Sequence, residues 1–182
     1  MTRSHRRGAE VDRTILEATI LQLADEGVSG CSIEAVARRA GVNKTTVYRR
    51  WSNPEELLAA ALGSHAEREV PIAATGDLRA DLLTLVTDIS SALSSPLGQA
   101  LMAASHDLDP TSQIRRDYWS RRFAAASRIL ESAAVSLEPE ARHEWLEALV
   151  APIHFRLQQS GSVVDRPYLE RLVDRHLVTL DP

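Results

Sequence analysis

Between positions 44 and 50 the chain carries Lys44, Thr45, Thr46, Tyr48, Arg49 and Arg50, with only Val47 apolar among them. Cations and hydroxyls at this density suit one kind of chemistry better than any other. Ammonium and guanidinium groups neutralise phosphates, hydroxyls donate to phosphate oxygens, and an arginine fork matches the N7 and O6 acceptors of guanine. Lys44 is the only lysine in the sequence; every other basic side chain is an arginine.

Such residues work only if an element presents them together, and the flanking sequence supplies one. Ser32 is a good N-cap, and Glu34 stands in the first turn that it opens. Ile33, Val36 and Ala37 follow at helical spacing. Gly41 falls where a tight turn belongs, and Asn43 can cap a second helix of about two turns. On that helix Val47 and Trp51 lie four apart and point inward. Lys44, Thr45, Tyr48 and Arg49 share the opposite side. Two short helices joined by a glycine turn, the second polar and basic, form a helix-turn-helix, the sequence form of a major-groove reader. The same pattern also occurs in proteins that never touch DNA. The candidate DNA contacts are Ser32, Asn43, Lys44, Thr45, Thr46, Tyr48, Arg49 and Arg50. Thr46 and Tyr48 are expected on phosphates, and Lys44 or Arg49 on a base edge.

A preceding helix is expected from Val11 to Gly27, with Ile15, Leu16, Ala18, Leu23 and Ala24 inward and Gly27 just past its end. After the motif, Asn53-Pro54-Glu55-Glu56 is a strong helix start: a cap, proline at the first helical position and a glutamate three after the cap.

Here the chain resembles the tetracycline-repressor (TetR) family of bacterial transcription regulators. The resemblance runs through Ile15-Leu16-Glu17-Ala18, Gly27, Ser32-Ile33-Glu34-Ala35-Val36-Ala37, Ala40-Gly41-Val42, Thr46-Val47-Tyr48, Trp51 and Glu55-Glu56-Leu57-Leu58, over roughly residues 11–60. It implies an all-α fold in two domains: residues 1–52, a three-helix DNA-binding helix-turn-helix domain with a basic N-terminal arm, and residues 53–182, a larger helical ligand-binding and dimerisation domain. It implies a homodimer that represses transcription until a small, mainly apolar ligand frees it from a double-stranded DNA operator. The chain departs from the family pattern at Trp51, where phenylalanine is usual, and at Pro54, where a phosphate-touching lysine is usual. That contact would pass to the Glu55 N–H or to Arg50. Asn43-Lys44-Thr45 also replaces the commoner Ser-Lys-Gly, so no base preference carries over.

Charge is distributed in keeping with this reading. The net charge is −4. Residues 1–51 hold nine basic and six acidic side chains, net +3, and residues 52–182 hold twelve and nineteen, net −7. A basic head on an acidic body focuses attraction for DNA on one end. The segment Arg3-Ser4-His5-Arg6-Arg7 is expected as a disordered basic arm, lying on phosphates, entering the minor groove, or merely solubilising. At 182 residues and 44% apolar content, a substantial core is possible. No apolar run approaches the roughly 20 residues of a membrane span, and no leader resembles a signal peptide. With Cys31 alone, an internal disulfide is excluded. A cytoplasmic protein is expected.

Helical patterns continue from Asp77 to Leu93, Pro96 to Ser105, Asp109-Pro110 to about Val135, Pro139 to about Gln159 and Asp165 to Leu180. Pro152 should kink its helix or open its ladder. Leu146, Leu149, Val150, Ile153 and Leu157 form one apolar stripe, and Leu169, Leu172, Val173, Leu177 and Leu180 another. These stripes suit either a partner subunit, in a four-helix interface, or the chain's own core. Met102, His106, Trp119, Phe123, Trp145, His154 and Phe155 are candidates for a ligand cavity, with plain core packing as the alternative. No metalloprotease spacing, phosphate loop or Gly-x-Ser-x-Gly elbow occurs, so neither metal, cofactor nor enzyme activity is expected. A ligand-responsive transcription repressor is the leading reading. A helical adaptor using the motif for protein contacts, or an unrecognised helical enzyme, are the alternatives.

Overall fold

The computed structural model describes residues 3–72, 74–105 and 113–180. Among these, every regular element is helical: α1 Arg3–Glu26, α2 Ile33–Ala40, α3 Lys44–Tyr48, α4 Pro54–Glu69, α5 Leu78–Ser94, α6 Pro96–Ser105, α7 Gln113–Ser132, α8 Pro139–Phe155 and α9 Arg166–Leu177. A π turn, Arg156–Ser160, extends α8, and a 3₁₀ turn, Val178–Leu180, extends α9. No helix among the described residues is long and apolar enough to cross a membrane. His106 and the expected helix start at Asp109-Pro110 lie outside the described residues.

Helix starts follow the predicted caps. Asp77 Oδ1 accepts the Ala80 N–H at 3.0 Å, and Asp165 Oδ1 accepts the Tyr168 N–H at 2.9 Å. Outside the helix-turn-helix, two boundaries differ from expectation. Helix α1 begins at Arg3 rather than Val11, so the segment expected as a disordered arm is helical backbone. Nothing in Arg3–Glu10 breaks a helix, and extending one already nucleated costs little per residue. Helix α7 stops at Ser132 instead of continuing to Val135. Ala134 takes up φ 56°, and the Val135 N–H closes onto the Leu130 carbonyl at 2.9 Å. That closure normally uses glycine; an alanine gives the sequence no stop signal.

The chain divides into two compact units. The first comprises residues 1–68 and 96–118, the second residues 69–95 and 119–182. The core of the first gathers Ile15 and Leu23 from α1, Ile33 and Val36 from α2, Val47 from α3, Leu57 and Ala61 from α4, and Leu101 and Ala104 from α6. Packing in this unit therefore extends beyond residue 52, because α4 and α6 bury their inner sides in the same core.

The second unit packs Leu82, Leu85 and Val86 of α5, Ile129 and Leu130 of α7, Trp145, Leu146, Leu149 and Ile153 of α8, and Leu169, Leu172 and Val173 of α9. Of the two stripes that suit either a partner or the chain's own core, most residues lie in this core: Leu149, Ile153 and Val173 are fully buried, while Leu157, Leu177 and Leu180 pack against it half-buried. Apolar burial is non-directional, so a stripe is satisfied by whichever surface covers it. Helix α8 continues through Pro152. The missing Pro152 N–H removes the donor that the Ala148 carbonyl would otherwise meet. The wider π turn follows, ending at Gly161 with φ 60°.

Candidate nucleic-acid interface

The helix-turn-helix is assembled by short-range hydrogen bonds. Ser32 Oγ accepts the Ala35 N–H at 3.2 Å and opens α2. Gly41, at φ 66°, ends it. There the Gly41 N–H reaches the Arg38 carbonyl at 3.3 Å and the Val42 N–H reaches that of Ala37 at 3.0 Å. A side chain at this φ would be strained, so glycine fits the corner. Asn43 Oδ1 then accepts the Thr45 N–H at 2.9 Å and opens α3.

Helix α3 has five residues, fewer than the two turns expected. Alone it would not persist in water. It exists because Val47 is fully buried and Trp51 is 9% exposed beneath it. Covering each side chain contributes about 1.5–3 kcal/mol. Lys44, Thr45, Tyr48 and Arg49 remain exposed, and Thr46 is half-buried. Arg49, at φ −68° and ψ −17°, keeps to the helical path just past the end. The Tyr48 hydroxyl donates to Glu34 Oε1 at 3.5 Å, a contact long enough to exchange for a phosphate oxygen. The outer side of α3 thus carries two cations and two hydroxyl groups over a dry inner side.

Arg50 behaves differently from its neighbour. Its Nε–H donates to Asp12 Oδ1 on α1, and its Nη1–H donates to the Thr46 carbonyl at 2.9 Å. Its side chain is 18% exposed. Of the eight residues expected at DNA, this one is held by two protein groups, the Ser32 and Asn43 side chains act as helix caps, and Tyr48 makes a long contact to Glu34. Sequence reasoning did not find Asp12, which lies 38 residues from Arg50; no local pattern pairs them. Arg39 pairs with Asp25, tying α2 to α1 in the same manner.

At the start of α4, Asn53 Oδ1 accepts the Glu56 N–H at 2.8 Å. The Glu56 carboxylate accepts the Ser52 N–H at 2.8 Å and the Ser52 hydroxyl at 2.7 Å. These bonds hold the Glu56 carboxyl below its ordinary range, the hydroxyl having the larger effect. Cys31 is buried in the same unit, and desolvation pushes its thiol up to about 11. It is a packing residue, far from the thiolate form that reacts.

Within the second unit, the residues expected around a ligand fall in more than one place. Trp119 stacks with Phe123 at a ring-centroid distance of 5.7 Å and meets the His154 ring edge-on at 5.5 Å. Phe123 lies 4.2 Å from the His143 ring. The Gln158 amide lies 3.1 Å from His154 Nδ1. An amide nitrogen can only donate there, which leaves the proton of the neutral ring on Nε2. Burial lowers the His154 pKa and keeps the ring neutral. Trp145 lies elsewhere: its ring is 4.1 Å from that of His176, and its Nε1–H donates to Thr179 Oγ1 at 2.9 Å. The His176 Nε2–H donates to the Trp145 carbonyl at 2.6 Å. Trp145 therefore fastens the C-terminal turn to α8. Phe155 is 62% exposed, unlike a cavity wall. Met102 is half-buried on α6, in the first unit.

Comparison with known proteins agrees with the architecture. Residues 15–61 match the family described as bacterial regulatory proteins, tetR family, and residues 72–176 match the tetracyclin repressor-like C-terminal domain. The HTH-type transcriptional regulator AqdR of Rhodococcus erythropolis is 36% identical over 132 residues, 71% of this chain and 64% of its own length. The DNA-binding transcriptional repressor TetR of Mycobacteroides abscessus is 32% identical over 96% of this chain and 95% of its own. The crystal structure of the TetR family transcription regulator SCO0332 superposes with a TM-score of 0.69 at 25% identity, over 95% of this chain and all of that one. The flavonoid-responsive regulator FrrA shares the fold, with a TM-score of 0.62 at 18% identity over 94% of this chain and 95% of its own. An N-terminal helix-turn-helix with a solvent-facing basic helix, a larger helical C-terminal region and matches along both halves lead to one conclusion: the chain belongs to the TetR family of DNA-binding transcriptional regulators.

Proposed function

We propose that the chain is a cytoplasmic homodimeric repressor that places α3 in the major groove of a near-palindromic operator and leaves it when a small, mainly apolar ligand binds residues 53–182. The observation that carries this reading is the division of α3 into a buried inner side, Val47, and an exposed outer side of Lys44, Thr45, Tyr48 and Arg49. A helix too short to stand alone yet held with its cations outward is suited to touching a polyanion. Arg49 or Lys44 reads a base edge. Thr46 and Tyr48 hold phosphates, and the Glu55 N–H, in the first turn of α4, replaces the lysine that Pro54 displaces.

Two copies follow from the geometry of DNA. A two-fold dimer meets half-sites about 34–36 Å apart, or at a multiple of that spacing. With most of the inner stripes of α8 and α9 buried within the chain, the surface left for a second copy includes exposed Phe155 and, at helical spacing from it on α8, Ala148 and Ala151. For the ligand, the cluster of Trp119, Phe123 and His154 is the most coherent of the expected residues, an apolar wall with one N–H donor. A ligand acts only as far as it prefers the conformation that DNA does not.

The test is selection of operators from a random duplex pool, followed by sedimentation of the protein–DNA complex. Enrichment of an inverted repeat bound by two chains is the expected result. A monomer indifferent to sequence would sink the proposal. Titration of aromatic ligands, followed by Trp119 fluorescence and operator binding together, tests release. A ligand that saturates the fluorescence change without weakening DNA binding would remove the coupling.

A further inference from the structure

Helix α3 is held by two unlike anchors. Val47 and Trp51 bury apolar surface beneath it, which keeps the helix down without setting its roll or tilt. The directional anchor is Arg50. Just past α3, the Arg50 N–H bonds to the Val47 carbonyl at 2.9 Å rather than to that of Thr46. The Thr46 carbonyl is taken instead by Arg50 Nη1–H at 2.9 Å, while Nε–H is held by Asp12 of α1. One planar guanidinium thus joins the end of α3 to the middle of α1, in a geometry that a lysine could not reproduce.

We infer that Arg50 and Asp12 form a clamp that sets the orientation of α3, making Arg50 a positioning residue for DNA reading rather than a DNA contact. The inference rests on the proposed role of α3. It assigns Asp12 a function that its charge alone would contradict: an acid in a DNA-binding unit repels phosphate, and its removal should strengthen binding if charge were its only effect.

The experiment measures affinity for the selected operator and for a mixed-sequence duplex of equal length, across a range of salt, with wild type, Asp12→Asn, Arg50→Ala, these two combined, and the exchange Asp12→Arg with Arg50→Asp. A lost clamp misplaces the base-reading side chains. Asp12→Asn and Arg50→Ala should each weaken operator binding about tenfold, as expected for a networked pair, and their combination no further. Binding to the mixed-sequence duplex should hold nearly steady, and the exchange should recover part of the loss. A phosphate-contacting Arg50 predicts otherwise: both duplexes weaken alike and the salt slope falls by about 0.9. That outcome, or tighter operator binding by Asp12→Asn, overturns the clamp. A merely destabilised fold would lower both affinities together, and this too counts against it. Should Arg50→Ala fail to fold, Asp12→Asn, which keeps the side chain's shape but weakens its charge-assisted bond to Arg50, decides the matter. If Arg49→Ala kept full affinity and specificity, α3 would not be the reader, and the clamp would fall with that role.

Discussion

The pair α2–α3 and the pair α8–α9 use helical amphipathicity to different ends. In the first pair, the inner side is buried and the outer side carries exposed cations and hydroxyls aligned by caps at Ser32 and Asn43. In the second, broad apolar stripes meet other helices of the same chain, and the polar groups found there, such as Trp145 Nε1 and His176 Nε2, bond inward. The difference teaches where each region's specificity resides. The first leaves Lys44, Thr45 and Arg49 exposed on its outer side, where the proposed function puts DNA. The second uses much of its hydrogen-bonding capacity to fasten the C-terminal turn. Trp145 and Arg49 are both large, hydrogen-bonding side chains that sequence reasoning placed at binding sites, and the comparison predicts opposite phenotypes for them.

The largest effect should come from Trp145→Ala. Removal of this buried ring and its bond to Thr179 should lower stability by about 3–5 kcal/mol, measured by urea unfolding. A loss below about 1 kcal/mol, accompanied by loss of ligand response, would return Trp145 to a ligand wall and erase the contrast. Arg49→Ala should do the reverse. Operator affinity should fall by about 1–3 kcal/mol with relaxed preference at one base pair, and thermal stability should stay within about 0.5 kcal/mol of wild type.

A smaller effect sharpens the picture of the second unit. Ala134 holds a left-handed φ of 56°, so Ala134→Gly should stabilise the chain by about 0.5–1 kcal/mol, read from the urea midpoint. A destabilised variant would mean that the alanine methyl contributes more through packing than the backbone strain costs.

The mildest change is one of pH. Burial lowers the pKa of both His154 and His176, in the latter case against the smaller opposing influence of the Trp145 carbonyl. The unfolded chain therefore binds protons first as pH falls below about 6.5. Stability should be fully present above that value and decline as pH descends toward the folded pKa values. Replacement of His154 by glutamine should flatten part of the decline in the thermal midpoint between pH 7.5 and 5; an unchanged decline would clear His154 of any part in it.

Much of the helix-turn-helix was legible from residues alone because its signals are local. Ser32 and Asn43 bond to amides two or three residues on, Gly41 permits a corner that other residues resist, and Val47 with Trp51 marks an inward side within a single turn. The start of α1 and the end of α7 were missed for the same reason in reverse. No residue at Arg3–Glu10 breaks the helix, and Ala134 does what a glycine usually signals. The candidate ligand set was the least legible. Aromatic residues in apolar helices look alike whether they line a cavity, as the proposal has it for Trp119, secure a terminus, as Trp145 does, or face solvent, as Phe155 does.

By itself, then, the sequence determined what is set within a few residues: the helical periods, their caps, the glycine corner and the polar outer side of α3. Tertiary structure alone decided what long-range pairing settles. Arg50 turned to Asp12 because a partly buried guanidinium demands more hydrogen-bond partners than the nearby Thr46 carbonyl supplies, and the carboxylate that completes the set lies 38 residues away. The stripes of α8 and α9 closed on α5 and α7 because hydrophobic burial favours covered surface without naming the cover, and no spacing along a single helix records which neighbour arrives.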